Sequence, residues 1–203
     1  MKYITALTTF FTAMMMLVIA PAKAEPQEYR FDKAHTQILF FVSHLGFSMS
    51  QGEFHDYDGT IRFDRENPEN SSVNVTIQTD SIDMDDKEWD NHMKNEDFFS
   101  VEEYPTMTFE STDIKVTGDK TGKITGDLTI LGATREVTLD TTFNKAGKHP
   151  YSGNYVAGFS ATTQIKRSNF GMGYGLPGIG DKVDIRLEVE AVRKGSSGED
   201  LNK

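Results

Sequence analysis

Apolar side chains recur every second residue over most of the chain, the period of strands that bury one face. Val73, Val75 and Ile77 alternate with Asn74, Thr76 and Gln78. Ile124, Gly126, Leu128 and Ile130 alternate with Thr125, Asp127 and Thr129, and Val137, Leu139, Thr141 and Phe143 with Glu136, Thr138, Asp140 and Thr142. Near the C-terminus Val183, Ile185, Leu187, Val189 and Ala191 stand against Asp184, Arg186, Glu188 and Glu190. One stretch breaks the rule by being apolar on both faces. In Thr36–Gly46, Ile38, Phe40, Val42 and His44 share one face, and Gln37, Leu39, Phe41 and Leu45 the other. A strand of this kind needs a core on one side and a cover on the other. The run is too short to cross a bilayer as a helix.

The pattern predicts eight strands, near 36–44, 52–64, 72–79, 106–114, 124–131, 135–144, 154–166 and 181–193. Phe54 falls out of phase with Tyr57, Gly59, Ile61 and Phe63, which places a bulge near His55–Asp56. Gly132 lies in a turn, Leu131–Thr134, where it is free to take a positive φ. Between Ser81 and Ser100 the period changes, with Trp89, His92, Met93 and Glu96 at helical spacing and Phe98 and Phe99 following. One short helix is expected there, its apolar residues covering the outer face of Leu39 and Phe41. The fold class expected is all-β: an eight-stranded antiparallel barrel with one short helix packed on it, whose interior is wide enough for one small ligand. A two-sheet sandwich fits the same periodicity.

The first residues are read differently. Ile4–Ala20 is apolar after a weakly positive start, and Ala22-Lys23-Ala24 supplies a small-residue cleavage site. Residues 1–24 are therefore expected to be a cleaved secretory signal, with the protein acting in the periplasm. The barrel domain is expected over 25–194 and a disordered polar tail over 195–203. The formal net charge of the whole chain is −10. Such a surface disfavours nucleic acid and anionic lipid faces and suits a soluble carrier. The chain has no cysteine, so no disulfide holds it together and no thiol nucleophile is available.

The inward set predicted to line the barrel is Phe40, Val42, Ile61, Phe63, Met107, Phe109, Leu128, Ile130, Leu139, Phe159, Ile165, Val183, Ile185 and Leu187, with Phe170 and Met172 at the mouth. Arg167 and Asn169 are candidate head-group contacts. Other chemistry fits poorly. His44, His55, Asp56 and Asp58 match no metal-ligand spacing. Asp83–Lys87 lacks the glycine of a calcium loop and has lysine where an acceptor is needed. The G-x-G-x-x-G at Gly173–Gly178 is followed by a strand and contains Pro177, so it reads as a mouth loop. No motif calls for a metal, a cofactor or a catalytic residue.

Several stretches together resemble a known family: HLGFSMSQGEF, DYDGTIRFD, NHMKNEDFFSVEEYPTMTFEST, GDLTILGATREVTL, GFSATTQIKRSNFGM and DKVDIRLEVE. Their order and spacing from about Tyr29 to Val192 resemble the YceI-like family of bacterial periplasmic proteins. The resemblance implies a lipocalin-like barrel with a long apolar pocket. It implies a polyisoprenoid ligand such as an isoprenyl phosphate or a quinone tail, or a fatty acid or amide. One position departs: Trp89 stands where the family usually has Arg, before Asp90-Asn91-His92-Met93.

The function expected is a non-enzymatic module that holds one long apolar chain for carriage, storage or sensing. Its partners would be that lipid, a membrane or membrane protein in transient contact, and a second copy in a homodimer. Two other readings stand beside it. One is an enzyme on a lipid-like substrate, using a polar residue such as His44 or Asp56. The other is an interaction protein whose solid core holds no ligand.

Overall fold

The computed structural model describes residues 25–196; the expected signal segment, 1–24, and residues 197–203 of the expected tail lie outside the described residues. Eleven strands form one antiparallel sheet: β1 (Gln27–Phe31), β2 (Gln37–His44), β3 (Ser48–Phe54), β4 (Tyr57–Phe63), β5 (Ser72–Gln78), β6 (Ile82–Asp83), β7 (Thr106–Val116), β8 (Thr121–Ile130), β9 (Ala133–Lys148), β10 (Tyr155–Lys166) and β11 (Ile179–Arg193). Among the described residues a single α-helix, α1 (Lys87–Lys94), follows β6.

The sheet closes. β1 pairs with β4 on one side and with β11 on the other, through Tyr29↔Arg193, Arg30↔Val192 and Phe31↔Ala191. The ring β1-β4-β5-β7-β8-β9-β10-β11 thus returns on itself as a closed eight-stranded barrel, not a sandwich. β2 pairs with the other half of β11, from Val183↔Val42 to Glu188↔Gln37, and carries β3 and β6 beyond it. β1 with β2, and β3 with β4, are therefore two strand positions each broken in the middle. The second break falls at His55–Asp56, where the phase slip in the sequence placed a bulge.

Both ends of the barrel have distinct furniture. One end carries α1, the Leu45–Gly46 hairpin and the long Arg167–Gly178 connection (the helix end). The other carries the Thr117–Lys120 and His149–Asn154 hairpins and the loop after β4 (the hairpin end). Two of the hairpins at the helix end are tight turns with both central residues at positive φ, Leu45–Gly46 (52° and 75°) and Leu131–Gly132 (51° and 70°). The tail expected from residue 195 starts with an ordered turn, since Ser196 Oγ accepts a hydrogen bond from Tyr155 N–H.

The helix is placed otherwise than expected. Asp86 caps it by accepting from the Glu88 and Trp89 N–H groups. Its apolar residues, with Phe98 and Phe99 behind them, close over the end of the lumen: Phe99 meets Phe54 at 5.4 Å, and Trp89 meets His44 at 5.8 Å. The outer face of β2 stays uncovered by the helix, and Phe41 there lies beside the exterior side chains Asp184 and Arg186.

Gly126 on β8 shows how closely the wall is fitted. A Cβ there would stand 2.5 Å from the Glu110 carbonyl oxygen and 2.6 Å from the Phe109 ring. Gly126→Ala is expected to destabilise the fold by about 1–3 kcal/mol, as overpacking does. A thermal melt of the variant checks this.

Candidate functional site: a lumen lined by apolar side chains

The barrel is hollow. Its lumen has a volume of ≈ 820 Å³ and runs along the barrel, within the range of small-molecule sites. Part of the opening comes from β10, where the inward Ala161 and Thr163 are small residues between the larger Phe159 and Ile165. Ala161 pairs with Thr141 on β9 and with Leu187 on β11, so the wall recedes halfway along. Toward the hairpin end an aromatic layer crosses the lumen. Phe63 on β4 meets Phe143 on β9 at 5.5 Å and Phe159 on β10 at 5.2 Å.

Every apolar residue predicted to face inward lies on the lumen wall. From the strands these are Phe40, Val42, Ile61, Phe63, Met107, Phe109, Leu128, Ile130, Leu139, Phe159, Ile165, Val183, Ile185 and Leu187; from the helix-end connection, Phe170 and Met172. Period-two alternation found them because a strand offers only two faces. Sequence reasoning missed Tyr57, Ile77, Ile124 and Val137, which share faces with residues it named, and Met93, Phe98 and Phe99, which it placed outside.

The two head-group candidates behave differently from expectation. Asn169 is exposed and stands apart from the lumen wall. Arg167 is only 4% exposed and spends its donors on the backbone. Its Nε donates to Gly180 O (2.8 Å), Nη1 to Met172 O (3.1 Å), and Nη2 to Tyr174 O (2.8 Å) and Ile179 O (3.0 Å). Burial pulls the guanidinium below its ordinary value, opposed by the nearby Asp181 carboxylate. Arg167 is the staple of the Arg167–Gly180 connection.

Exposed residues on the lumen wall mark two portals. Trp89 and Tyr174, with His44 and His92, stand at the helix end. Arg65, Lys115 and Lys120 stand at the hairpin end; nothing in the strand pattern singled them out among other surface cations. His92 is held by Asp97 (3.2 Å) and by the edges of Phe98 and Tyr174. Asp90, beside Trp89, accepts the Met84 N–H at 2.7 Å, so a backbone amide partners its carboxylate.

The remaining polar candidates are scattered. Asp56 pairs with Lys33 on the exterior (2.9 Å), His55 with Asp83 (2.9 Å), and Asp58 with the Gly59 N–H (2.7 Å), far from His44 at the portal. Among the described residues, one group of three side chains could hold a metal ion: Asp32, His35 and Glu190, at the break between β1 and β2. His35 and Asp32 already satisfy each other at 2.9 Å, and that bond raises the imidazole above its ordinary value. Among the described residues every fully buried side-chain nitrogen and oxygen has a partner.

The loop at the hairpin-end portal hangs on Asp64. Its carboxylate accepts from the Glu66 and Asn67 N–H groups, both at 2.9 Å, and is 3% exposed. Hydrogen bonding, that from Asn67 foremost, holds the carboxyl below its ordinary value. A carboxylate depressed in the folded state stabilises above its unfolded pKa, roughly 3.9, and the contribution vanishes as pH falls through the folded value. The difference in melting temperature between wild type and Asp64→Ala is therefore expected to be full at neutral pH and to shrink below about pH 4.

Comparison with known proteins agrees with this architecture. A UPF0312 protein of Pectobacterium atrosepticum is 42% identical over 185 residues, 90% of this chain and 95% of the relative. The crystal structure of Burkholderia cenocepacia BcnA superposes with a TM-score of 0.72 at 26% identity, covering 79% of this chain and 98% of that one. A polyisoprenoid binding domain from Saccharophagus degradans, implicated in plant cell wall breakdown, shares the fold alone, at 11% identity and a TM-score of 0.62 over 83% of this chain and 99% of that one. The YceI-like domain model matches residues 29–191, from the strand that closes the barrel to the one it closes against, and the chain belongs to the YceI-like family.

Proposed function

We propose that the protein is a lipid-binding barrel that holds one polyisoprenoid or fatty chain in its lumen, for carriage, storage or sensing, without chemical turnover. The observation that carries this reading is the ≈ 820 Å³ lumen whose wall is largely apolar along its strands. Its buried polar atoms are all satisfied within the protein. A wall of that kind recognises by burial of hydrocarbon, at about 0.8 kcal/mol per methylene, and asks little of a head group. The polyisoprenoid binding named for the Saccharophagus degradans domain of the same fold supports the same class of ligand.

The solid-core alternative fits poorly with a hollow interior. The enzyme alternative would need polar groups brought together at the lumen, and His44 and Asp56 are not. With residues 1–24 read as a cleaved signal, the site of action is the periplasm, and exchange of the chain would take place at a membrane or a membrane protein.

Native mass spectrometry of the protein recovered from a periplasmic extract tests the proposal. The expected result is one adduct of a few hundred daltons that extracts into solvent as a prenyl or acyl chain. A bare mass that stays bare after incubation with isoprenyl phosphates, quinones and fatty acids would overturn it.

A further inference from the structure

We propose that the helix-end rim of the barrel is a membrane-docking lip, built to seat on the net-neutral surface of a zwitterionic phospholipid bilayer. This rests on the lipid-binding reading above and adds where the chain is exchanged.

Charge is the first observation. Charged residues make up 26% of the sequence, yet none occurs from His35 to Gly52 or from Ser168 to Gly180. The fold brings the turn in the middle of the first stretch against the end of the second. Leu45 N–H donates to Gly178 O at 2.8 Å, and His44 pairs with Ile179. The two neutral segments thus make one continuous rim. Entering a headgroup layer costs this rim no desolvation of ions.

Exposure is the second. Phe47 is 90% exposed, Leu45 59%, Met49 51%, Trp89 45%, Tyr174 45% and Leu176 38%. These make up six of the eight large exposed hydrophobic residues among the described residues, and all lie at the helix end. Aliphatic and phenyl groups at a tip with Trp and Tyr beside them match the layering of a bilayer interface. Leu45 is also held at a φ of 52°, where a bulky residue is disfavoured and Asn or Gly would sit freely. Leu45 keeps its side chain 59% exposed at that φ, whereas Leu131 in the matching turn packs on the core.

The third is position and electrostatics. Trp89 and Tyr174 belong to the lip and to the lumen wall, so the seated lip would place the portal against the hydrocarbon. Asp83, Asp85, Asp86, Glu88 and Asp90 flank it on the α1 side, where they outnumber Lys87 and Lys94. Acidic flanks disfavour anionic lipids, so a neutral surface is the complementary one and docking should not depend on salt.

Trp89 is the only tryptophan and makes the test direct. The protein of residues 25–203 is floated with phosphatidylcholine vesicles at low and high salt, and Trp89 emission is read with acyl-brominated phosphatidylcholine. Expected is flotation that survives high salt, with quenching by the brominated chains. A Leu45→Ser/Phe47→Ser variant should partition at least about tenfold more weakly, as removal of buried apolar side chains predicts. That variant should still bind a fluorescent fatty acid in solution as wild type does, which keeps lip and lumen separable. Wild type that binds the fatty acid but neither floats nor quenches overturns the lip and leaves the lumen reading intact. Wild type that floats but binds no fatty acid overturns the lumen reading instead. Absence of flotation with a dimer in light scattering that Phe47→Ser abolishes overturns the lip as a membrane surface and makes it a contact between copies.

Discussion

Replacing Ala161 with tryptophan is expected to close the lumen halfway along and weaken binding of a long apolar chain about a thousandfold. Ala161 is 7% exposed and sits between Thr141 and Leu187, on the wall of the lumen. An indole there fills the space through which a chain would pass. Excluding about five methylenes at ~0.8 kcal/mol each removes ~4 kcal/mol of binding energy, or about three orders of magnitude in Kd. The fold should survive, since filling a void often stabilises. Displacement of a fluorescent fatty acid measures the affinity, and Thr162→Gln, one residue along on the exposed face, is the matched control. Wild-type affinity in a folded Ala161→Trp protein would place the ligand elsewhere. In the wild type, each added methylene should tighten binding by about fourfold until the lumen is full.

Arg167→Met is expected to cost on the order of 3 kcal/mol or more, because hydrogen bonds to charged groups contribute about 1.5–3 kcal/mol each and four are lost, though not additively. For a chain of this size that lowers the melting temperature by about 6–12 °C. The four carbonyls, of Met172, Tyr174, Ile179 and Gly180, lose their donors together. The connection that carries Phe170 and Met172 to the lumen and Tyr174 to its portal should loosen with them. Lysine should rescue little, since an ammonium cannot reproduce the planar fork. A variant that melts like wild type yet binds chains poorly would return Arg167 to a head-group role.

How much of this could be read from sequence depends on the kind of information each element carries. Strand faces were legible because period two leaves each side chain one of two directions, and burial chooses between them. β1 was harder: in Gln27–Phe31 only Tyr29 and Phe31 are apolar, too short a pattern to separate from a lead-in segment. The start of β3 was read as a loop because Ser48–Gln51 looks polar, while its pairing with β2 is made by backbone groups that sequence does not display. For α1 the spacing of Trp89, His92 and Met93 established a helix with an apolar side but gave no address, so the end of the lumen and the outside of β2 were equally open to it. The structural role of Arg167 was hidden for a related reason. A lone cation at the mouth of an apolar pocket suggests an anionic partner, and only the folded backbone reveals four carbonyls converging on it.

The closure of the ring has a consequence for how the chain folds. Tyr29 pairs with Ile61 on one side and Arg193 on the other, so the first described strand finds its second, closing partner only once nearly the whole domain has emerged. Contacts of that sequence separation raise contact order and slow folding toward the millisecond-to-second range typical of such β topologies. Until they form, the hairpins from β7 to β11 can pair locally but leave two open edges and an apolar inner face exposed to water. The cavity is therefore a late product of folding, completed when β1 and β2 at one end of the domain meet β11 at the other. Its capacity to hold a chain should appear in a single final step.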